Sequence, residues 1–294
     1  MRLKDGYIYV DSLELCAIET CNLRCAQCTA SSPFAVDDNM ASPAQFRHTL
    51  NLLRPVFRAG QIKILGGEPL MHPELLELMT VARDSGIFSR VRVTTNGVLL
   101  PKMPDMFWET ADIVEVSVYP STKSKITAIL PAVRARAAAR TVLELNHKPS
   151  FQLALSDARI VPLELVGQIF RSCSEAHEWS CHSLYKDSLY RCSRVHSLDF
   201  YLNQLGVAHD CFTDLDGLKI DARPTLFEEL RDYLSCERPL RACEFCLGTS
   251  GRLEPHRQLK LIEIESKRSG LLDPFCSSQL EEVAAKRSKP VRRA

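Results

Sequence analysis

The sequence predicts an α/β fold with a parallel sheet, followed by a smaller C-terminal part of different character. Three observations predict it. In the first half, short apolar runs alternate with helical patterns, which implies right-handed βαβ units. Of the 294 residues, 45% are apolar, enough for a real core. Of the twelve cysteines, four lie at positions 16–28 and eight at 173–276, with none between.

Leu13–Ile18 reads as a strand that runs into the first cysteine group. Ser42 then caps a helix, with Pro43 at its first position and Leu50, Leu53 and Phe57 at helical spacing. Gln61–Leu65 is a short strand that stops at Gly66-Gly67. A helix follows from Pro73 to about Asp84, with Gly86 as its stop. Arg90–Thr95 and Ile113–Tyr119 are the next strands, and Thr141–Leu145 is a fifth. After about residue 158 the pattern changes. A helix is predicted over Pro162–His177, and a hairpin over Trp179–Cys192 with its turn at Lys186-Asp187-Ser188. Gly217–Ile220 reads as a short strand. Thr225–Leu234 reads as a helix with Thr225 and Glu228 in a capping box. The end, residues 286–293, carries five basic residues and reads as a disordered tail, with an anionic partner as the alternative.

Lys plus Arg is 37 and Asp plus Glu is 36, a net charge of +1, which argues against a nucleic-acid footprint over the whole chain. No apolar run reaches the roughly 18–20 residues of a membrane span. Arg2, Lys4, Asp5, Asp11 and Glu14 leave no signal-peptide core at the start, so a cytoplasmic location is expected. Thiols stay reduced there, and twelve of them suggest metal or redox chemistry rather than disulfides.

Cys21, Cys25 and Cys28 form a C-x₃-C-x₂-C loop directly after a strand. Three thiolates can hold three irons of a [4Fe–4S] cube and leave the fourth open to a ligand. Zinc is the competing metal, but it favours C-x₂-C with a remote second pair. Together with Gly66-Gly67-Glu68-Pro69 at the end of the next strand, this loop resembles the radical S-adenosylmethionine (radical SAM) superfamily. The resemblance implies a partial (β/α)₆ TIM-like barrel over residues 12–158. It implies that Cys21, Cys25 and Cys28 bind the cluster, whose open iron chelates the amino and carboxylate groups of SAM. It places Gly66, Gly67 and Glu68 along the methionine amino group, with glycines needed where backbone approaches the ligand. It directs Asn96 and Ser117, at the ends of the third and fourth strands, to the ribose or carboxylate. Gln27 departs from the pattern, since the family usually has an aromatic residue there.

Cys181 and Cys192 flank the predicted hairpin, and Cys243-Glu244-Phe245-Cys246 follows. These four thiols resemble the twitch form of the SPASM extension, which carries one auxiliary [4Fe–4S] cluster. That resemblance implies a small α+β auxiliary-cluster domain over 159–260 and an extension over 261–294. Asp187 stands where the family pattern has glycine. A Cys₄ zinc site is the alternative, and Cys211 or Cys236 could replace one ligand. Cys16 and Cys173 read as small core hydrophobes, and Cys276 as a loop residue.

The resemblance implies a 5′-deoxyadenosyl radical that abstracts hydrogen from a carbohydrate or aminocyclitol, as in natural-product or glycan biosynthesis, with a flavodoxin- or ferredoxin-type reductant. Epimerisation needs a thiol hydrogen donor, for which Cys211 and Cys236 are the candidates. Oxidation of a hydroxyl to a ketone is the dehydrogenase alternative. Tyr119, His72, Asp216, Lys219, Glu244, His256 and Arg257 are further candidates for hydroxyl contacts. A peptide-modifying enzyme is less expected, because the barrel is expected to begin near residue 12, with no room for a leader-peptide domain. A non-catalytic zinc or nucleic-acid module is the reading from another class.

Overall fold

A computed structural model describes residues 1–35, 39–137, 140–179 and 181–268. Cys276 and the basic tail lie outside them. The chain opens with β1 (Arg2–Lys4) and β2 (Tyr7–Ile18). Four strand–helix alternations follow: α1 (Pro43–Leu53), β3 (Phe57–Gly66), α2 (Leu75–Asp84), β4 (Val91–Thr95), α3 (Asp105–Thr110), β5 (Ile113–Val118), α4 (Lys123–Ala137) and β6 (Val142–His147). The later elements are β7 (Ser150–Gln152), α5 (Leu163–Arg171), α6 (Ser174–His177), β8 (His182–Tyr185), β9 (Ser188–Tyr190), α7 (Arg194–Leu205), α8 (Phe212–Leu215), β10 (Gly217–Lys219), α9 (Leu226–Leu234), β11 (Leu253–Pro255) and α10 (Leu261–Arg268).

One open sheet runs β10-β9-β8-β2-β3-β4-β5-β6, with β1 also on β2. Strands β2 to β6 pair in parallel, and β8 joins the far side of β2 in parallel. The sheet therefore has six parallel strands, as a partial TIM-like barrel requires. The hairpin β8–β9 and strand β10 extend the same sheet, so hydrogen bonding continues across the change of pattern at residue 158.

Period-2 alternation sorts the two faces. Leu13, Leu15, Ile62, Ile64, Val91, Val93, Val114 and Val116 turn to the helices and build the main core with Phe46, Leu50, Leu78, Met79 and Phe107. The opposite face is polar. Lys63 Nζ stands 3.4 Å from Glu14, and Arg92 Nη1 is 2.8 Å from Glu115 and 2.7 Å from Glu144. A complete barrel fills this space with branched apolar side chains; here ion pairs line it instead.

Local signals place the helices with small differences. Ser42 caps α1 by accepting from Gln45 N, with Pro43 at the first position. Thr225 makes no backbone cap on α9; its hydroxyl donates to Glu229 at 2.6 Å, in place of the expected pairing with Glu228. The helix expected over 162–177 is broken between α5 and α6. There the Thr249 hydroxyl accepts from Ser174 N at 2.9 Å and donates to Ser172 O at 3.4 Å. A distant loop thus captures the backbone groups that would have continued the helix. Among the described residues, no helix is long and apolar enough to cross a membrane.

Candidate active site

Two cavities meet beside α7. The first, about 290 Å³, lies at the C-terminal ends of the parallel strands. Cys21, Cys25 and Cys28 border it on the loop after β2. Gly66, Gly67, Asn96 and Ser117 border it from the ends of β3, β4 and β5. The loop is braced locally: Leu23 N donates to Cys21 Sγ at 3.3 Å, and Asn96 Nδ2 donates to Asn22 Oδ1 at 2.6 Å. Burial pushes the Cys21 and Cys25 thiols up to about 12. A metal takes thiolate, so loading this loop must release protons.

The glycine pair is needed first for packing. A Cβ on Gly66 would overlap the Ile18 carbonyl, and one on Gly67 would overlap those of Glu19 and Thr20. Gly66 also has φ +151°. The end of β3 can thus lie directly against the base of the cysteine loop, with Gly67 N donating to Ile18 O and Glu68 N to Thr20 O. Glu68 does not border the cavity. It is fully buried, and its carboxylate accepts from Leu70 N at 3.0 Å, Thr95 Oγ1 at 2.6 Å and Asn96 N at 2.9 Å. Burial raises its pKa against those three hydrogen bonds. Its place is that of a brace between the ends of β3 and β4, setting the Asn96 backbone.

The opposite wall comes from α6, β8 with the residue before it, and α7; apart from Cys181, none of its residues was expected from the sequence. Glu175, Cys181, Ser183, Arg194 and His196 border the cavity there. Burial holds His196 neutral, with its pKa near 4, and the ring stacks on Tyr185 at 4.7 Å. Ser32 Oγ, Ser183 Oγ, Arg194 Nε and His196 Nδ1 are buried without a hydrogen-bond partner. The Arg194 guanidinium pairs with Glu175.

The second cavity, about 330 Å³, collects Cys173, Cys192, Cys236, Cys243 and Cys246. Cys173 and Cys246 meet across Gly248. Gly248 N donates to Cys246 Sγ at 3.3 Å, while a Cβ on Gly248 would sit 3.1 Å from Cys173 Sγ. Of the four thiols expected to act together, Cys192, Cys243 and Cys246 share this cavity. Cys181 faces the other, and Cys173 takes its place. Among the described residues, no three Cys, His, Asp or Glu side chains converge where a single ion would sit. The thiols surround a space instead. Arg194 borders both cavities and lies 3.6 Å from Cys246 Sγ.

The remaining candidates fall outside the first cavity, apart from Tyr119. Cys211 is exposed, its thiol 3.3 Å from Thr213 Oγ1, and Cys236 borders only the second cavity. His72 is bound to Ala41 O, and Asp216 accepts from Arg241 N and Ala242 N. Glu244 pairs with Arg159, and Lys219 with Asp187.

The family description "Radical SAM superfamily" matches residues 16–145. A GTP 3′,8-cyclase of Chlorobaculum tepidum is 29% identical over 150 residues, 50% of this chain and 44% of that protein. One of Stenotrophomonas maltophilia is 34% identical over 110 residues, 36% of this chain and 32% of that protein. The matches thus span less than half the length of these curated relatives. Among solved structures, BtrN in complex with AdoMet and 2-DOIA aligns over 77% of this chain and 82% of its own, with TM-score 0.47 and 15% identity. Tagged anSMEcpe with bound AdoMet aligns over 94% and 99%, with TM-score 0.43 and 13% identity. The matched region contains the three-cysteine loop, the glycine pair and the ends of β4 and β5, so residues 16–145 match a radical SAM domain, a family that implies a [4Fe–4S] cluster and SAM.

Proposed function

We propose that this enzyme abstracts a hydrogen atom from a hydroxyl-rich small molecule without phosphate groups, of the carbohydrate or aminocyclitol class, and epimerises the carbon. The observation that carries this reading is the set of unpartnered polar atoms around the cavity that the three-cysteine loop borders. Ser32, Ser183, Arg194 and His196 each leave a buried polar atom unpartnered beside the same cavity. Such atoms cost free energy unless a ligand satisfies them. Of the described residues bordering the cavity, Arg194 is the only Lys or Arg, and it is spent on Glu175. Glu14 borders it as well. A nucleoside triphosphate, as the relatives' name would suggest, finds no free cation there.

When bound, the cluster and SAM supply a 5′-deoxyadenosyl radical that takes hydrogen from an unactivated C–H bond. Cys21, Cys25 and Cys28 hold the cluster; the ends of β3, β4 and β5 orient SAM. Cys181 is the thiol we assign as hydrogen donor, in place of Cys211 and Cys236, because it borders the cavity across from the loop. Its S–H bond breaks homolytically, the substrate carbon gains the hydrogen, and the flavodoxin- or ferredoxin-type reductant returns an electron, with a proton, to the thiyl. The dehydrogenase reading rests on the second cavity. Cys173, Cys192, Cys243 and Cys246 would hold an auxiliary cluster able to take the substrate electron, with Glu175 beside both cavities as base.

The test is product analysis under anaerobic conditions with SAM and a low-potential reductant. The expected result is 5′-deoxyadenosine formation that vanishes in Cys21→Ala, Cys25→Ala and Cys28→Ala. With aminocyclitol and sugar panels in D₂O, deuterium at an inverted carbon, lost in Cys181→Ala, supports epimerisation. A ketone without solvent deuterium supports the dehydrogenase. Retention of SAM cleavage in all three cysteine variants would overturn the cluster assignment.

A further inference from the structure

The chain returns to the first cysteine loop from more than two hundred residues away. Strand β11 pairs with β7 and carries the following residues across that loop. Ala26 N donates to Arg257 O at 3.0 Å, and Leu259 N donates to Arg24 O at 2.6 Å. The strap also delivers two side chains to one sulfur. His256 Nε2 and Gln258 Nε2 each lie 3.3 Å from Cys25 Sγ.

Both side chains are held in place before any ligand arrives. The His256 ring stacks on Tyr119 at 4.9 Å and an interplanar angle of 14°, and packs against Phe151 at 5.5 Å. The Gln258 amide is oriented by its other end, because Oε1 accepts from Arg24 N at 2.5 Å. That donor leaves oxygen no choice of side, so the NH₂ group faces the sulfur. Its nitrogen is also 3.4 Å from Ser121 Oγ and 3.2 Å from His256 Nε2; with the ring proton on Nε2 and aimed at the sulfur, that contact is not a hydrogen bond, and the two Gln258 hydrogens go to Cys25 and Ser121. Pre-set N–H groups around a ligand sulfur are what tunes an iron–sulfur centre.

We propose that His256 and Gln258 are positioning residues that donate hydrogen bonds to the Cys25 thiolate of the loaded cluster and raise its reduction potential. The inference rests on Cys21, Cys25 and Cys28 being the cluster ligands. Reduction adds negative charge to the cluster, and N–H dipoles aimed at a ligand sulfur favour the more negative state. Because the strap leaves the second thiol cavity by way of Cys246 and β11, the C-terminal part thereby sets how readily the first cluster is reduced.

The test is a redox titration of the reconstituted full-length protein, followed by the electron paramagnetic resonance component that changes when SAM is added. His256→Phe keeps the aromatic stack and removes the donor; Gln258→Met keeps the length and removes the donor. The double variant is expected to retain its iron and the SAM-sensitive signal. At a fixed potential its reduced-to-oxidised ratio is expected to fall about tenfold, or about 59 mV for a one-electron couple. His256→Gln, which restores an N–H, is expected to return towards the original potential. An unshifted potential with intact iron would overturn the proposal. So would a His256→Gln shift equal to that of His256→Phe, or loss of the first cluster's iron from both single variants, because the claim is tuning rather than retention. Failure of the underlying cluster assignment looks different: the SAM-sensitive signal would persist in Cys21→Ala, Cys25→Ala and Cys28→Ala.

Discussion

Gly67 shows how much a single hydrogen in place of a methyl group can decide. Its missing Cβ is the space through which the Glu19 and Thr20 carbonyls pass, and both lie on backbone that cannot swing away as a side chain would. Gly67→Ala is therefore expected to cost about 2–3 kcal/mol or more, read as a lower urea midpoint, and to suppress SAM cleavage because the loop bearing Cys21 must shift. Gly86 is the contrast. A Cβ there meets nothing within 4 Å, and only its φ of +67° opposes substitution. Gly86→Ala is expected to cost about 1 kcal/mol and leave SAM cleavage intact. Equal effects of the two would show that the cysteine loop does not depend on close backbone contact. At this scale the sequence was most legible, because three thiols within eight residues and a glycine pair at a strand end specify their own neighbourhood. Glu68 shows the limit. Its place in the motif suggested a ligand contact, and only the packing shows its carboxylate occupied by Leu70, Thr95 and Asn96.

At the scale of elements, α7 joins the two cavities, and it was not visible as a functional element. Its first residue, Arg194, is buried against Glu175 in the first turn of the short α6 helix, with both side chains largely excluded from water. Arg194→Met leaves the Glu175 carboxylate buried without its counter-ion, and a loss of about 3–5 kcal/mol is expected. The double variant Arg194→Met/Glu175→Gln is expected to recover a substantial part of that loss. Chemical denaturation of the four proteins in a mutant cycle checks it; additive losses would show that the pair is not coupled. The break between α5 and α6 carries a similar lesson. The apolar periodicity of 162–177 describes a continuous helix with Cys173 as one more core residue. Thr249 ends it by taking the Ser174 N–H and binding the Ser172 carbonyl, and Cys173 is left at the second cavity. No pattern local to 162–177 contains Thr249.

Across the whole molecule, the parallel sheet is the frame that makes these distant contacts coincide. Strand β8 pairs with β2, so the second half of the chain is built onto the same sheet that carries the cysteine loop. That junction buries His182 on β8 and His196 on α7, and burial lowers each from its ordinary 6.5 to about 4. Between those values the unfolded chain binds protons that the folded one refuses, so stability rises with pH through this window and is lost as pH falls from 6.5 towards 4. For the metal-free protein, a loss of a few kcal/mol from the two groups together is expected between pH 6.5 and 4. It is measured by urea unfolding, with a shallower slope in His182→Gln; an unchanged slope would remove His182 as a source.

The alternation of strands and helices, the C-x₃-C-x₂-C loop and the glycine pair determined, from sequence alone, the fold class and the residues that gather at the first cavity. Each is a short-range pattern whose geometry follows from the backbone of a few neighbouring residues. The tertiary structure decided which thiols share the second cavity, that Cys181 faces the first, and that His256 and Gln258 reach Cys25. Those contacts join residues tens to hundreds of positions apart. They exist only because sheet pairing and packing bring the segments together, and no periodicity along the chain records that distance.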